Sequence, residues 1–256
     1  VWGGPGAACT GPTPREIERD ALIADRANVL AAPERPRLNP PPEAPAQPAD
    51  SLETCVRELA SSLPLARIQA ANQLKRAAAE GISACLRVLL KADVLVNTRI
   101  LEFLAAQDYE AYSADVLEGV REAAAKQLKI EVAAVRQAAA QMLGTLGAGG
   151  ARTEFLSAIT DKERKIRWAV VQRFAEHPDE LGNAQLMVLA NYLGDSKLDS
   201  ATRGDVYTLL LAVFEKYSRG LKPESYDAFA DPKSQAACVT AWEGWARAVV
   251  ITPLPR

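Results

Sequence analysis

The stretch Glu131–Gly147, EVAAVRQAAAQMLGTLG, decides how this chain is read. Its apolar side chains Val132, Val135, Ala139, Met142, Leu143 and Leu146 recur in steps of three and four. That spacing lays one stripe along a helix of about 3.6 residues per turn. Gly144 and Gly147 are expected to end it, because glycine adopts the backbone conformations that a helix terminus requires. One such helix cannot hide its stripe, so it needs neighbours built in the same way.

A register anchored on Arg136 finds those neighbours. Val135 precedes the arginine, and Ala139, Ala140 and Leu143 follow at three, four and seven residues. The same frame fits Arg67, with Ala66 before it and Ala70, Ala71 and Leu74 after. It fits Arg167, with Ile166, Val170, Val171 and Phe174. It fits Arg203, with Val206, Tyr207 and Leu210, although Thr202 is less apolar than the frame asks. At Asn97, with Val96, Ile100, Leu101 and Leu104, asparagine stands in for arginine. The intervals are 30, 39, 31 and 36 residues, and a weaker sixth copy sits at Gln235 with Cys238, Val239 and Trp242.

On VRQAAAQMLGTLG at 135–147, IRWAVVQRF at 166–174 and ARIQAANQL at 66–74, the chain resembles the HEAT repeat family, above all its short bacterial members. The resemblance covers about residues 51–248. It implies helical hairpins stacked into a curved superhelix, and elementary packing agrees, since stacked pairs form one continuous core. The expected fold is therefore an all-α solenoid of five to six hairpins over 51–256. First helices are expected near 51–60, 82–91, 113–128, 152–159, 180–193 and 223–230. Second helices are expected near 65–79, 96–106, 132–146, 163–176, 200–218 and 232–249. The resemblance also gives the frame arginines a structural role, meeting acids in the turns before the second helices. Asp93, Glu131, Asp161, Asp199 and Asp231 stand there, so a ladder with Arg67, Asn97, Arg136, Arg167 and Arg203 is expected, strongest through repeats three to five. Ser61 and Ser62 replace the acid in the first copy, and Asn97 breaks the ladder in the second.

Residues 1–50 read differently. VWGGPGAACTGP forms an irregular arm whose large side chain, Trp2, is either a mobile end or an anchor for a pocket. Thr13-Pro14-Arg15-Glu16 is a capping box with proline at the first helical position, so a helix is expected from Pro14 to about Ala32. Ile17, Ala21, Leu22, Ala24 and Val29 are its apolar side. Seven prolines between Pro33 and Asp50 then impose an extended, polyproline II linker. Its 18 residues reach up to about 56 Å at roughly 3.1 Å each.

Composition narrows the function classes. A net charge of −2 argues against a dedicated nucleic-acid binder. No apolar run approaches the roughly 18 residues of a membrane span. Cys9, Cys55, Cys85 and Cys238 show no C-x-x-C spacing, and with the single His177 they make no recognisable metal set. They are either small buried hydrophobes or disulfide partners, for which three complete pairings exist. The start at Val1 fits a removed export signal or a fragment, and with the even cysteine count it turns the expectation towards an exported or periplasmic protein. Catalytic motifs are absent: there is no G-x-S-x-G, H-E-x-x-H or phosphate-binding loop. The glycines of 144–150 follow a helix rather than a strand and lack the Lys-Ser/Thr ending, so they read as a hairpin connection.

One charge feature stands out. Between Arg121 and Arg173 there are ten Lys and Arg against five Asp and Glu. Lys162, Arg164, Lys165, Arg167 and Arg173 share one hairpin with Trp168. They form either a solvated helix face or a cationic patch for an acidic protein surface or anionic ligand. Trp242 and Trp245 are expected to seal the last repeat.

The expected function is a non-catalytic scaffold that holds other proteins, a structural or assembly subunit of a larger complex, using the solenoid surface and the N-terminal arm. The candidate contact residues are Trp2, Ile17, Lys162, Arg164, Lys165, Trp168 and Arg173. No cofactor and no nucleic acid are expected. Two alternatives remain: a HEAT-like enzyme, since that family includes bilin lyases and alkylpurine DNA glycosylases, or an adaptor whose proline-rich segment is itself the ligand.

Overall fold

The computed structural model describes residues 49–89, 91–217, 223, 225–231 and 233–249. Trp2, Cys9, Ile17, the expected helix over 14–32 and the linker up to residue 48 lie outside the described residues. Among the described residues there are eleven α-helices and no strand. They pair as α1 (Ala49–Glu58) with α2 (Pro64–Arg76), α3 (Ala78–Leu89) with α4 (Val94–Ala105), and α5 (Ala114–Gln127) with α6 (Ala133–Leu146). The short α7 (Arg152–Ser157) lies between the 3-10 turns Gly149–Ala151 and Ala158–Thr160, and the second of these turns packs on α8 (Arg164–Glu176). Next come α9 (Asn183–Gly194) with α10 (Ser200–Tyr217), and finally α11 (Ala236–Ala248). The second helices α4, α6, α8 and α10 pack on one another in that order, while α1, α3, α5 and the Gly149–Ala151 turn form the other layer. The chain is an all-α solenoid.

The frame explains the stacking. Val96, Ile100, Leu101 and Leu104 on α4 are buried, as are Val135, Ala139, Ala140 and Leu143 on α6, and Ile166, Val170, Val171 and Phe174 on α8. Each large aliphatic among them contributes about 1.5–3 kcal/mol by leaving water. Ala139 and Ala140 keep α6 slim, and α6 stands between α4 and α8. The first copy departs from this. On α2, Ala70 and Leu74 are buried, but Leu63, Leu65 and Ile68 are 66%, 66% and 58% exposed.

Three expectations need correction. The helix of the opening stretch runs through Gly144 to Leu146, so Gly147 alone stops it, at φ +79°. Val132 is its N-terminal flanking residue, 37% exposed, and not part of the buried stripe. The sixth hairpin does not form. Residues 225–231 make a turn-rich strap instead of a first helix, and α11 packs on α9 rather than continuing the second-helix layer. Asn183 Nδ2 at the start of α9 donates to the Val249 carbonyl at the end of α11, while Gly194 at the end of α9 lies against Val239 near its start. The helix α11 is therefore antiparallel to α9, which closes the stack. The strap has other partners: the Tyr226 hydroxyl donates to the Leu193 carbonyl at 2.7 Å, and Arg203 donates to the Ala228 carbonyl at 3.0 Å. Trp242 is fully buried there, with Trp245, Tyr207 and Phe214 around it at 5.3, 5.6 and 6.0 Å between ring centroids.

Cys55 and Cys85 are free thiols, so a complete set of two disulfides is not formed. The Cys55 thiol donates to Gln73 Oε1 at 2.7 Å and joins α1 to α2. Burial pushes the Cys85 thiol up to about 12. At neutral pH almost none of it is thiolate, the reactive form. Cys85 is accordingly expected to resist a thiol-specific reagent in native buffer and to react within minutes in denaturant. Mass-spectrometric mapping of the labelled positions checks this, and rapid native labelling of Cys85 would contradict it.

Candidate functional site

The frame residues do one thing in each of the first five copies. Each donates backwards to the carbonyls of the turn that introduces its own helix. Arg67 reaches Ser61 and Ser62 at 2.8 and 3.3 Å, Asn97 reaches Ala92 at 3.2 Å, and Arg136 reaches Ile130 at 2.9 Å and also Glu131. Arg167 reaches Asp161 and Lys162 at 2.9 and 3.2 Å, and Arg203 reaches Leu198. These carbonyls are five or six residues upstream, so the side chain staples the turn between the two helices of a hairpin. Neutralising otherwise unpaired carbonyls with a charged donor is a strong form of hydrogen bonding.

Between repeats, two of the frame arginines meet an acid among the described residues. Arg136 grips Asp161 with both oxygens, at 2.7 and 3.2 Å. Burial opposes ionisation of Asp161, but the bonds from Arg136 and from the Glu163 backbone outweigh it and hold its carboxyl below the ordinary value. Arg167 pairs with Asp205 at 2.7 Å rather than with Asp199, which instead caps α10 by accepting from the Thr202 backbone. Asp93 likewise caps α4 through the Val96 backbone at 3.0 Å. Glu131 is exposed and enters only through its carbonyl. Asp205 was the residue that turn-based reasoning passed over; its signal is a lone acid inside the apolar run VYTLLLAVF and its lead-in.

The ladder leaves some cations of the 121–173 cluster engaged and others free for solvent. Arg121 donates to the Leu146 and Gly147 carbonyls at 2.8 and 2.9 Å and so finishes the end of α6. Arg173 pairs with Glu180 and crosses over Gly147, where a Cβ would stand 2.6 Å from its guanidinium. A residue expected as a contact cation is thus paired with an acid of the turn that leads from α8 into α9. Lys162, Arg164 and Lys165 are exposed and make no ion pair among the described residues. Trp168 is 40% exposed, so a large part of its indole faces water. Arg164, Trp168 and Gln172 follow at steps of four, and Lys165 is one turn from Trp168, so all four share the outer face of α8. In register with Lys165 and Trp168 stand Ala134 and Gln137 on α6, and Ala201 and Gly204 on α10.

Beside this ridge an open groove of about 600 Å³ runs between α6 and α8. Gln141, Gly144 and Thr145 line one side, and Ala169, Gln172, Arg173, Glu176 and His177 the other. Its amides can bond a passing main chain. The Thr145 hydroxyl donates to the Gln141 carbonyl of its own helix at 3.0 Å. Among the described residues no cluster of three His, Cys, Asp or Glu could hold a metal ion, and no helix is long and apolar enough to cross a membrane.

No protein-family model and no curated protein matches the chain. Among solved structures, an engineered protein from a structural genomics consortium is similar over 77% of this chain and 95% of its own, with 15% identity and a TM-score of 0.41. A designed armadillo repeat protein in complex with the peptide (KR)4 is similar over 75% of this chain and 99% of its own, with 15% identity and a TM-score of 0.39.

Proposed function

We propose that this solenoid is a non-catalytic protein-binding scaffold of HEAT-like repeats, a structural subunit of a larger assembly, and that the outer face of α8 holds an acidic segment of its partner. The observation that carries this is the pairing of Trp168 with Arg164 and Lys165 on one exposed face, while the neighbouring arginines are engaged inside the fold. An exposed indole flanked by unpaired cations offers a partner an apolar anchor and two charge-assisted bonds. The amides of Gln141 and Gln172 beside it suit the main chain of an extended segment.

The test is a titration of the full chain with an acidic peptide bearing one aromatic residue, against a basic peptide of the same length. The acidic peptide is expected to bind, more weakly as salt rises, and Trp168→Ala with Lys165→Glu to weaken binding about thirtyfold or more. Both changes lie on an exposed face, so the melting temperature should hold. Equal binding of the two peptides, or an undiminished affinity in the double variant, would sink the reading.

A further inference from the structure

The C-terminal strap presents an aromatic side chain that no other described residue covers. Phe229 is 85% exposed, yet its backbone is firmly held. The Phe229 N–H donates to Asp227 Oδ1 at 2.9 Å and the Ala230 N–H to the Asp227 carbonyl at 3.2 Å. On either side of the turn, the Asp227 N–H donates to Gln235 Oε1 at 3.1 Å, and Arg203 holds the Ala228 carbonyl. A large apolar side chain fixed in water at a turn tip loses little conformational entropy on docking, which is what an anchor residue needs.

At the other end of the stack, α2 offers a face of complementary character that no other described residue covers. Leu65, Ile68, Asn72 and Lys75 follow at steps of three, four and three, so they share one side of the helix, and all four are exposed. Leu63 at the helix entrance extends the apolar half, and Arg76 adds to the cationic half. A terminal repeat normally covers the stack with a polar outer face. This one carries three exposed large aliphatics. Charge fits as well: Pro64–Arg76 holds Arg67, Lys75 and Arg76 and no acid, whereas 225–231, SYDAFAD, holds Asp227 and Asp231 and no cation. Both acids are exposed and flank Phe229 at equal distance in sequence.

We infer that the chain associates head to tail with a second copy of itself, the Phe229 turn of one copy seating on the Leu63–Leu65–Ile68 face of the next, with Asp227 and Asp231 against Lys75 and Arg76. The two patches belong to the first hairpin and the closing strap, at opposite ends of the stacked helices, and at about 8–10 Å per packed helix they are too far apart to meet within one copy. A contact between two different patches is heterologous, so it leaves one free patch at each end and extends into chains or closes into a ring.

Sedimentation velocity of the full chain tests this. The weight-average mass is expected to rise with concentration beyond that of two chains. Phe229→Asp and Ile68→Asp, each at an exposed position, are expected to stay monomeric at every concentration with unchanged helical circular dichroism. Mixing the two variants should restore a one-to-one dimer that grows no further, because the mixture holds a single intact pair of patches. A monomeric wild type, assembly that survives Phe229→Asp, or a mixture that remains monomeric would each overturn the inference.

Discussion

Replacing Asp205 with alanine is expected to cost about 3–5 kcal/mol of stability, the penalty for leaving a buried charge without its partner. Arg167 is only 3% exposed and Asp205 9%, and their 2.7 Å bond ties α8 to α10. Without the carboxylate, the arginine keeps its bonds to the Asp161 and Lys162 carbonyls but loses its hydrogen-bonded counter-charge, with Asp199 left as a second, unbonded one. Chemical denaturation monitored by circular dichroism reads the loss. The informative control is Glu102→Ala. Its pair with Arg99 is equally short at 2.6 Å, but the two side chains are 47% and 44% exposed, so solvent screens it and the cost should stay below about 1 kcal/mol. A second variant separates pairing from packing: Arg167→Met with Asp205→Leu removes both charges, and is expected to recover much of the loss. Similar costs for Asp205→Ala and Glu102→Ala would show that the inter-repeat rung has no special weight.

Trp242→Ala is expected to cost about 3–5 kcal/mol as well, for a different reason. The side chain is fully buried where α11 closes the stack, and its removal leaves a void among Trp245, Tyr207 and Phe214. Because each repeat is held mainly by its neighbours, the damage should concentrate at that end. Amide hydrogen exchange is therefore expected to accelerate in α9, α10 and α11 while α4 and α6 keep their protection. Trp242→Phe should lose less: it keeps an aromatic ring and removes an indole N–H that has no hydrogen-bond partner. Uniform acceleration along the whole chain would mean that the closing helix supports the stack globally rather than locally.

Much of the architecture was legible because a helical stripe is a local property. The spacing of Val135, Ala139, Ala140 and Leu143 predicts both a helix and the side it buries, and the same frame located α4, α8 and α10. It misled in the last copy, where Cys238, Val239 and Trp242 fit the pattern and are buried, but against α9 in the other layer. A stripe tells which side of a helix is covered, not by what. In the first copy, Leu65 and Ile68 lie outside the frame positions and remain in water.

The candidate site was only half legible. Lys162, Arg164, Lys165, Arg173 and Trp168 are adjacent in sequence, so the cluster could be named, but charge does not say which cations the fold itself uses. Glu180, seven residues beyond Arg173, takes that one out of the patch. The side-chain direction of Arg167 and the position of Asp205, 38 residues away, likewise depend on how two hairpins stack.

By itself the sequence determined that this chain is made of amphipathic helices in a repeating frame, since periodic burial needs only the geometry of one helix. It also determined that a frame arginine recurs ahead of four of the buried stripes. Only the tertiary structure decided which acid each arginine meets, that the last helix turns back antiparallel, and that Trp168 and Phe229 stand in solvent. Those outcomes depend on contacts between residues far apart in the chain, where packing and charge are balanced among several helices at once.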